Sequence, residues 1–351
     1  MKKEINQIFI YKGDAKMKNM NLEERKVLIV DDEAGIRRNL HFGLTQHGFT
    51  IDDAEDGLSA LSQIESSYHK GTPYNFVITD MVLPDINGLK LLEVIKSKYP
   101  ALPVIVITGY GTEVTADEVT ARHGDGYLSK PFLADDLADV LEKIAPPKAD
   151  FPQAVAEPAL KTSISAYAMI KVKEGGDVLG VFNKLYFMDN VLYCDAVRNS
   201  YDIVLLLNAA TPAELDHIIQ TKIKTLAGIE EVVYCPVAKP KLETGIQDFI
   251  NDYERQKNLS PQGNKPKRVP YPLSAYVLIE VEKARFNEVY PKLYFLDNVV
   301  SCDTTKGKYD LILLIQSATF NEMERLVREK IGSIDGIVRT RLLNIMNLFE
   351  M

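Results

Sequence analysis

The chain has 351 residues, 46% of them hydrophobic, and a formal net charge of −8. That length holds two or three domains of ordinary size; the negative balance argues against nucleic acid as the main partner, and no apolar run approaches the ~18 residues that a membrane-crossing helix needs. The short apolar stretch near the N-terminus is not that of a signal peptide, and three cysteines without close spacing argue against zinc and against a disulfide framework. The expected location is therefore the cytoplasm.

Residues 1–25 show no convincing period and read as a flexible leader, with Met17 and Met20 as possible alternative starts. From 26 to 144, strand and helix signals alternate five times. Val27-Leu28-Ile29-Val30 runs into Asp31-Asp32, and Phe76-Val77-Ile78-Thr79 runs into Asp80. Val104-Ile105-Val106-Ile107 runs into Thr108, and Tyr127-Leu128-Ser129 runs into Lys130-Pro131. Helices are expected over 34–47, 58–69, 88–99, 113–122 and 134–144; the first carries Ile36, Leu40 and Leu44 on one face. Such alternation predicts a doubly wound, five-stranded parallel sheet covered on both faces.

Polar residues that follow apolar strands lie where open α/β sheets place their chemistry. Any one of these could be a solvated loop residue. Asp31, Asp32, Asp80, Thr108 and Lys130, at the ends of four separate runs, form a set with a chemical logic. Clustered carboxylates repel and call for a hard cation, for which oxygen ligands and Mg²⁺ are suited. Asp80 can then attack a phosphoryl group, with Lys130 and Thr108 on the phosphoryl oxygens.

This stretch, about 26–144, resembles the response-regulator receiver domain. The resemblance is carried by Leu28-Ile29-Val30-Asp31-Asp32-Glu33, by Asp80 with Pro84 and Gly88, by Val106-Ile107-Thr108-Gly109, and by Tyr127-Leu128-Ser129-Lys130-Pro131-Phe132. It implies that Asp80 accepts phosphate from a sensor histidine kinase. It implies direct Mg²⁺ contacts from Asp32, Asp80 and the Val82 carbonyl, and one through water from Asp31. Thr108 and Tyr127 match the switch positions, Lys130 the phosphate-pairing lysine, and the Lys130-Pro131 bond is expected to be cis. Val82 and Tyr110 flank the place of the attacking water, and Val82 has no side-chain hydrogen bond with which to orient it. A long-lived phosphoryl group is therefore expected. Asn87 stands where many receivers have Asp and reads as a turn substitution.

Residues 145–163, with Pro146-Pro147, Pro152 and Pro158, read as a linker. The remainder is a duplication, 164–238 and 273–351. Lys184-Leu185-Tyr186-Phe187-Met188-Asp189-Asn190-Val191 recurs as Lys292-Leu293-Tyr294-Phe295-Leu296-Asp297-Asn298-Val299, and Cys194-Asp195, Tyr201-Asp202 and Ala210-Thr211 recur as Cys302-Asp303, Tyr309-Asp310 and Ala318-Thr319. Each repeat reads strand, helix, strand, strand, helix, strand, the ferredoxin-like order. Thr211 with Glu214 and Thr319 with Glu322 read as capping boxes. Between the repeats, 239–272 reads as a second linker, in which Ile246, Phe249, Ile250 and Tyr253 have the spacing of an amphipathic helix.

The repeats resemble the ligand-sensing domain of the Lrp/AsnC regulators, on Tyr309-Asp310-Leu311 after Gly307 and on Ile334-Asp335-Gly336-Ile337-Val338-Arg339-Thr340. That implies dimerisation through the sheet and small ligands at interfaces, with Asp202 and Asp310 as candidate ligand residues. The first repeat has Asn199-Ser200 in place of the glycine loop, and no DNA-reading helix-turn-helix is found. The paired Cys194 and Cys302 read as small buried hydrophobes, and the unpaired His217 makes no metal site.

The sequence thus reads as a two-component response regulator whose repeats bind a protein or a small ligand and are not an enzyme. The alternative is an output enzyme on the ferredoxin-like scaffold, which the lack of a shared nucleophile–base pair disfavours. Both faces of 202–207 and 310–315 are apolar, yet two helices cover only one face of such a sheet. The repeats are therefore expected to stack sheet to sheet, within the chain or between two chains of a homodimer.

Overall fold

The computed structural model describes residues 9–10, 25–109, 116–144, 164–242, 244–259 and 273–346, with the side chains of 9, 10, 244 and 255–259 left aside. They fall into two compact units. Leu242–Gly263 and Phe295–Asp297 group with the N-terminal unit, and the rest of the C-terminal chain forms the second.

In the first unit, β1 (Phe9–Ile10) precedes β2 (Lys26–Val30), α1 (Ala34–Gln46), β3 (Thr50–Ala54), α2 (Gly57–His69) and β4 (Phe76–Asp80). There follow α3 (Gly88–Lys98), β5 (Val104–Thr108), α4 (Ala116–Ala121), β6 (Gly126–Ser129) and α5 (Ala134–Lys143). The sheet order is β1-β6-β5-β4-β2-β3. β2 to β6 run parallel, as expected. Every residue of β4 and β5 is buried, which is why both read as unbroken apolar runs. One face packs Ile29, Ile78 and Ile107 against Leu40 and Leu44 of α1 and Leu137 and Leu141 of α5.

The stretch expected to be a mere leader adds a sixth strand. Phe9 and Ile10 pair antiparallel with Tyr127 and Gly126. Two residues are too few to show a period, and the pairing uses backbone groups that any sequence has.

The second unit contains β7 (Ile164–Val172), α6 (Val178–Tyr186), β8 (Val191–Arg198), β9 (Ile203–Ala209), α7 (Pro212–His217) and β10 (Ile229–Ala238). α8 (Thr244–Leu259), which follows in the chain, belongs to the first unit. The second repeat is β11 (Leu273–Val281), α9 (Phe286–Tyr294), β12 (Val299–Thr305), β13 (Leu311–Ser317), α10 (Phe320–Arg325) and β14 (Ile337–Ile345). α7 and α10 open on the expected caps, Thr211 and Thr319 each accepting from the amide three residues on. Both continue as π-helical turns, Ile218–Ile223 and Leu326–Ile331.

Each repeat is a four-stranded ferredoxin-like sheet, β8-β9-β7-β10 and β12-β13-β11-β14. Ile203, Leu205 and Leu207 face the helices of the first repeat. Val204 shares a core with Tyr167, Met169, Tyr276, Leu278 and Ile312, drawn from both repeats. The sheets therefore meet face to face within one chain.

They also join at their edges, which the sequence pattern does not announce. β10 pairs with β12 at Val237–Thr305 and Ala238–Thr304, and β14 pairs with β8 at Asn344–Arg198 and Ile345–Val197. The eight strands close into a barrel, which reduces the length of open edge.

Polar bonds cross the shared core in pairs. The Tyr167 hydroxyl donates to Asp303 at 2.6 Å, and the equivalent Tyr276 hydroxyl donates to Asp195 at 2.6 Å. Tyr201 and Tyr309 meet hydroxyl to hydroxyl at 2.9 Å. Burial pushes the Asp195 and Asp303 carboxyls above the usual carboxylate range, and the tyrosine bonds work against it. A Tyr167→Phe protein should lose about 2 kcal/mol, because Asp303 keeps its burial and loses its donor. Thermal unfolding followed by circular dichroism checks this; a midpoint equal to wild type would show that the bond holds nothing.

Candidate functional site

The site lies at the carboxyl ends of β2, β4, β5 and β6. Asp80 is the last residue of β4, and Asp31 directly follows β2. The Lys130 ammonium stands 3.2 Å from a carboxylate oxygen of each. Asp31 is 1% exposed, and its Oδ1 accepts from the Glu33 amide at 2.8 Å. Burial raises the Asp31 carboxyl pKa, with the Glu33 amide and Lys130 opposing it. Burial also works against charge on Lys130, but Asp31 and Asp80 outweigh it, and the ammonium titrates above its ordinary value. Asp80 Oδ1 is buried and has this ion pair but no aligned hydrogen-bond donor.

Backbone contacts fix these side chains. The Lys130 amide donates to the Thr108 carbonyl at 2.7 Å, and the Met81 amide donates to the Ile107 carbonyl at 2.9 Å. The Lys130-Pro131 bond is cis. Asp85 is buried and accepts from the amides of Gly57, Leu58 and Ile86, tying the loop after β4 to the start of α2. Asn87, read as a turn substitution, caps α3 by accepting from the Leu89 amide at 2.9 Å. Gly88 is required by space, since a Cβ there would collide with the Asp80 carbonyl oxygen.

The sequence expectation of three converging carboxylates is met by two. Asp32 is exposed, and only its carbonyl is engaged, by Arg37 at 3.1 Å. Among the described residues, no three Asp, Glu, His or Cys side chains are grouped to hold a metal ion. Lys130 spans Asp31 and Asp80 directly, while the next residue, Asp32, is exposed. Thr108 is buried, and its hydroxyl lies 3.1 Å from the hydroxyl of the half-buried Tyr127. Val82 is 62% exposed beside the site; Tyr110 lies outside the described residues. Arg37, which the sequence reading missed, holds the carbonyls of Asp31 and Asp32. Its signal is only a cation one turn into the helix after the acidic pair.

The candidate residues of the barrel are elsewhere engaged. Asp202 accepts from the Val172 amide at 2.7 Å and Asp310 from the Val281 amide at 2.8 Å. Asn199 has φ 102 and Gly307 φ 134, so the loop before each Tyr-Asp pair takes a left-handed turn, with asparagine serving in the first. Asp310 also borders a cleft of about 200 Å³ with Lys239, Lys241, Phe286, Thr304 and Thr305.

Residues 27–142 match the model of the response regulator receiver domain, and residues 165–245 and 274–349 match that of the Lrp/AsnC ligand binding domain. A putative NtrX-like response regulator of Rickettsia felis is 36% identical over 124 residues, covering 35% of this chain and 25% of that protein. The probable transcriptional regulatory protein SilR of Salmonella typhimurium is 34% identical over 114 residues, covering 32% of this chain and 47% of that protein. The crystal structure of the NtrX receiver domain from Brucella abortus aligns at a TM-score of 0.30 and 36% identity, over 33% of this chain and 94% of that one. The chain spans less than half the length of these two curated relatives. The chain is a receiver-domain protein of the response regulator family that carries two Lrp/AsnC ligand-binding domains in tandem. Among the described residues no helix is long and apolar enough to cross a membrane.

A Lys130→Met protein should be less stable by about 2 kcal/mol at neutral pH, having lost a charged hydrogen bond to Asp31 and an ion pair with Asp80. Because the folded pKa of Lys130 lies above its ordinary 10.5, this contribution is complete below that value and is lost as pH rises through the folded pKa. The stability gap between the two proteins, measured by urea unfolding across pH, should hold through neutrality and close only in strong alkali. A gap that closed near pH 8 would contradict the assignment.

Proposed function

We propose that this chain is a two-component response regulator in which Asp80 accepts a phosphoryl group from a sensor histidine kinase in the cytoplasm. The observation that supports it most is the Lys130 ammonium shared by two buried carboxylates at the end of a parallel sheet. Asp80 supplies the nucleophilic oxygen, and the kinase's phosphohistidine nitrogen is the leaving group. Lys130 then pairs with a phosphoryl oxygen, and the Thr108 hydroxyl turns from Tyr127 to donate to another, which frees the tyrosine to move.

Receiver domains generally depend on Mg²⁺. The donor set fits such an ion: buried carboxylate oxygens of Asp31 and Asp80, one of them without an aligned donor, with Asp32 and the Val82 carbonyl on the solvent side. When bound, the ion supplies positive charge against the phosphoryl oxygens. With Mg²⁺ and a small phosphodonor the wild-type protein should gain one phosphoryl group by intact mass, and Asp80→Ala none. Equal labelling of the two would sink the reading.

For the output, we read the repeats as binding modules for a protein partner. Five exposed large hydrophobes, Leu179, Tyr186, Phe187, Leu192 and Tyr193, lie along α6, β8 and the turn between them in the first repeat, with Phe187 79% exposed and in ring contact with Tyr186. Exposed apolar groups gathered in this way mark a protein surface more readily than a small-molecule pocket. The acids Asp202 and Asp310 are committed to backbone amides, which counts against their serving as catalytic groups.

Phosphoryl lifetime should be long, because Val82 offers an attacking water no hydrogen bond. Replacing Val82 by Asn should speed loss of the phosphoryl group several-fold, as followed by intact mass against time. An unchanged decay would remove Val82 from the explanation.

A further inference from the structure

α8 lies between the two repeats in the chain, yet it packs on α2 and α3 of the receiver. Its apolar stripe supplies the contact, with Phe249 and Ile250 wholly buried. The seat beneath is largely polar. The Lys98 ammonium is 2.8 Å from Glu65, 3.8 Å from Asp248 of α8 and 5.0 Å above the Phe249 ring. The Tyr99 hydroxyl donates to Glu65 at 2.8 Å, and its ring meets Phe249 edge-on while stacking on Tyr68.

At the other end of the interface, Tyr253 sits over the Lys90 ammonium, whose hydrogen bond it accepts, and donates to Glu93 at 3.4 Å. Glu93 is shared, because it also accepts from Arg122 at 2.8 Å, the residue that follows α4. Lys90 in turn is 3.8 Å from Glu93. So α3 grips α8 through Lys90, Glu93, Lys98 and Tyr99, and its first residue is pressed on the Asp80–Met81 backbone, where the Gly88 amide donates to the Met81 carbonyl at 2.9 Å.

We propose that α8 is a latch on the receiver, seated on α2 and α3 while Asp80 is free and released when Asp80 carries a phosphoryl group. This rests on the reading of Asp80 as phosphoacceptor. The coupling runs by two routes that meet at Glu93. The first is α3, whose start touches Asp80. The second is α4, which follows Thr108 in the chain. When Thr108 turns to the phosphoryl group, α4 is drawn with it, and Arg122 leaves Glu93. Lys90, already disfavoured as a cation by its burial, then closes on the freed carboxylate and leaves the Tyr253 ring. With two of the described side chains of α8 wholly buried, Phe249 and Ile250, the hold that remains is modest and can be tipped. Because α8 is the connection between the two repeats, its release would change the tether on both.

The test uses the full chain with Mg²⁺ and a small phosphodonor, with occupancy of Asp80 read by intact mass. Backbone hydrogen exchange is followed over 246–254. The amides of α8 should exchange at least tenfold faster in the phosphorylated protein, with those of α5 unchanged. Phe249→Ala should show the fast exchange with or without phosphoryl. Arg122→Ala should raise exchange in the unphosphorylated protein. Full occupancy of Asp80 with unaltered exchange in α8 would overturn the latch and leave the phosphoacceptor reading standing. No occupancy at all would overturn both.

Discussion

One ammonium holds the candidate site together. Asp31 and Asp80 are buried side by side at the end of a sheet, where two like charges would drive each other toward protonation. Lys130, 3.2 Å from a carboxylate oxygen of each, sets a positive charge against that repulsion. It can do so because β6 lies two strands from β4, with β5 between, and because its amide is tied to the Thr108 carbonyl. The arrangement that stabilises two carboxylates is also the one that can greet a phosphoryl group.

The barrel solves a different problem. A ferredoxin-like sheet with helices on one face leaves the other face apolar. The duplication supplies a second such face, and the shared core of Val204, Ile312 and their neighbours results. Within that core the two Tyr–Asp bonds, Tyr167 to Asp303 and Tyr276 to Asp195, fix how the faces register. Each costs burial of a carboxylate, and each is answered by a short bond from the other repeat. A slipped or reversed packing would leave two acids buried without donors, so the pairs favour one arrangement over others.

α8 shows how a segment read as linker acquires a place. Its stripe of Ile246, Phe249, Ile250 and Tyr253 needs cover, and α2 and α3 supply the Tyr99 ring together with charges that match Asp248 and Tyr253. The helix between the two halves of the barrel is thereby part of the receiver unit. The same face that buries Phe249 also buries Lys98 and Glu65, whose mutual pairing makes that burial tolerable.

Much of this was legible in the sequence because it rests on local pattern. Unbroken apolar runs named the parallel strands, the residues after them named Asp31, Asp80, Thr108 and Lys130, and a repeated motif named the duplication. The capping boxes at Thr211 and Thr319 are set by residues three apart. Other features depend on who meets whom across long separations, which no local period encodes. That is why Asp32 points to solvent while Asp31 joins Asp80, and why Asp202 and Asp310 close loops. It is also why two residues near the N-terminus extend a sheet and two repeats join edges into a barrel. Amphipathicity marks Phe249 and Ile250 as residues that must be covered. Only the tertiary structure decided that the receiver covers them, because an apolar stripe fixes the need for a partner and leaves its identity to shape and charge.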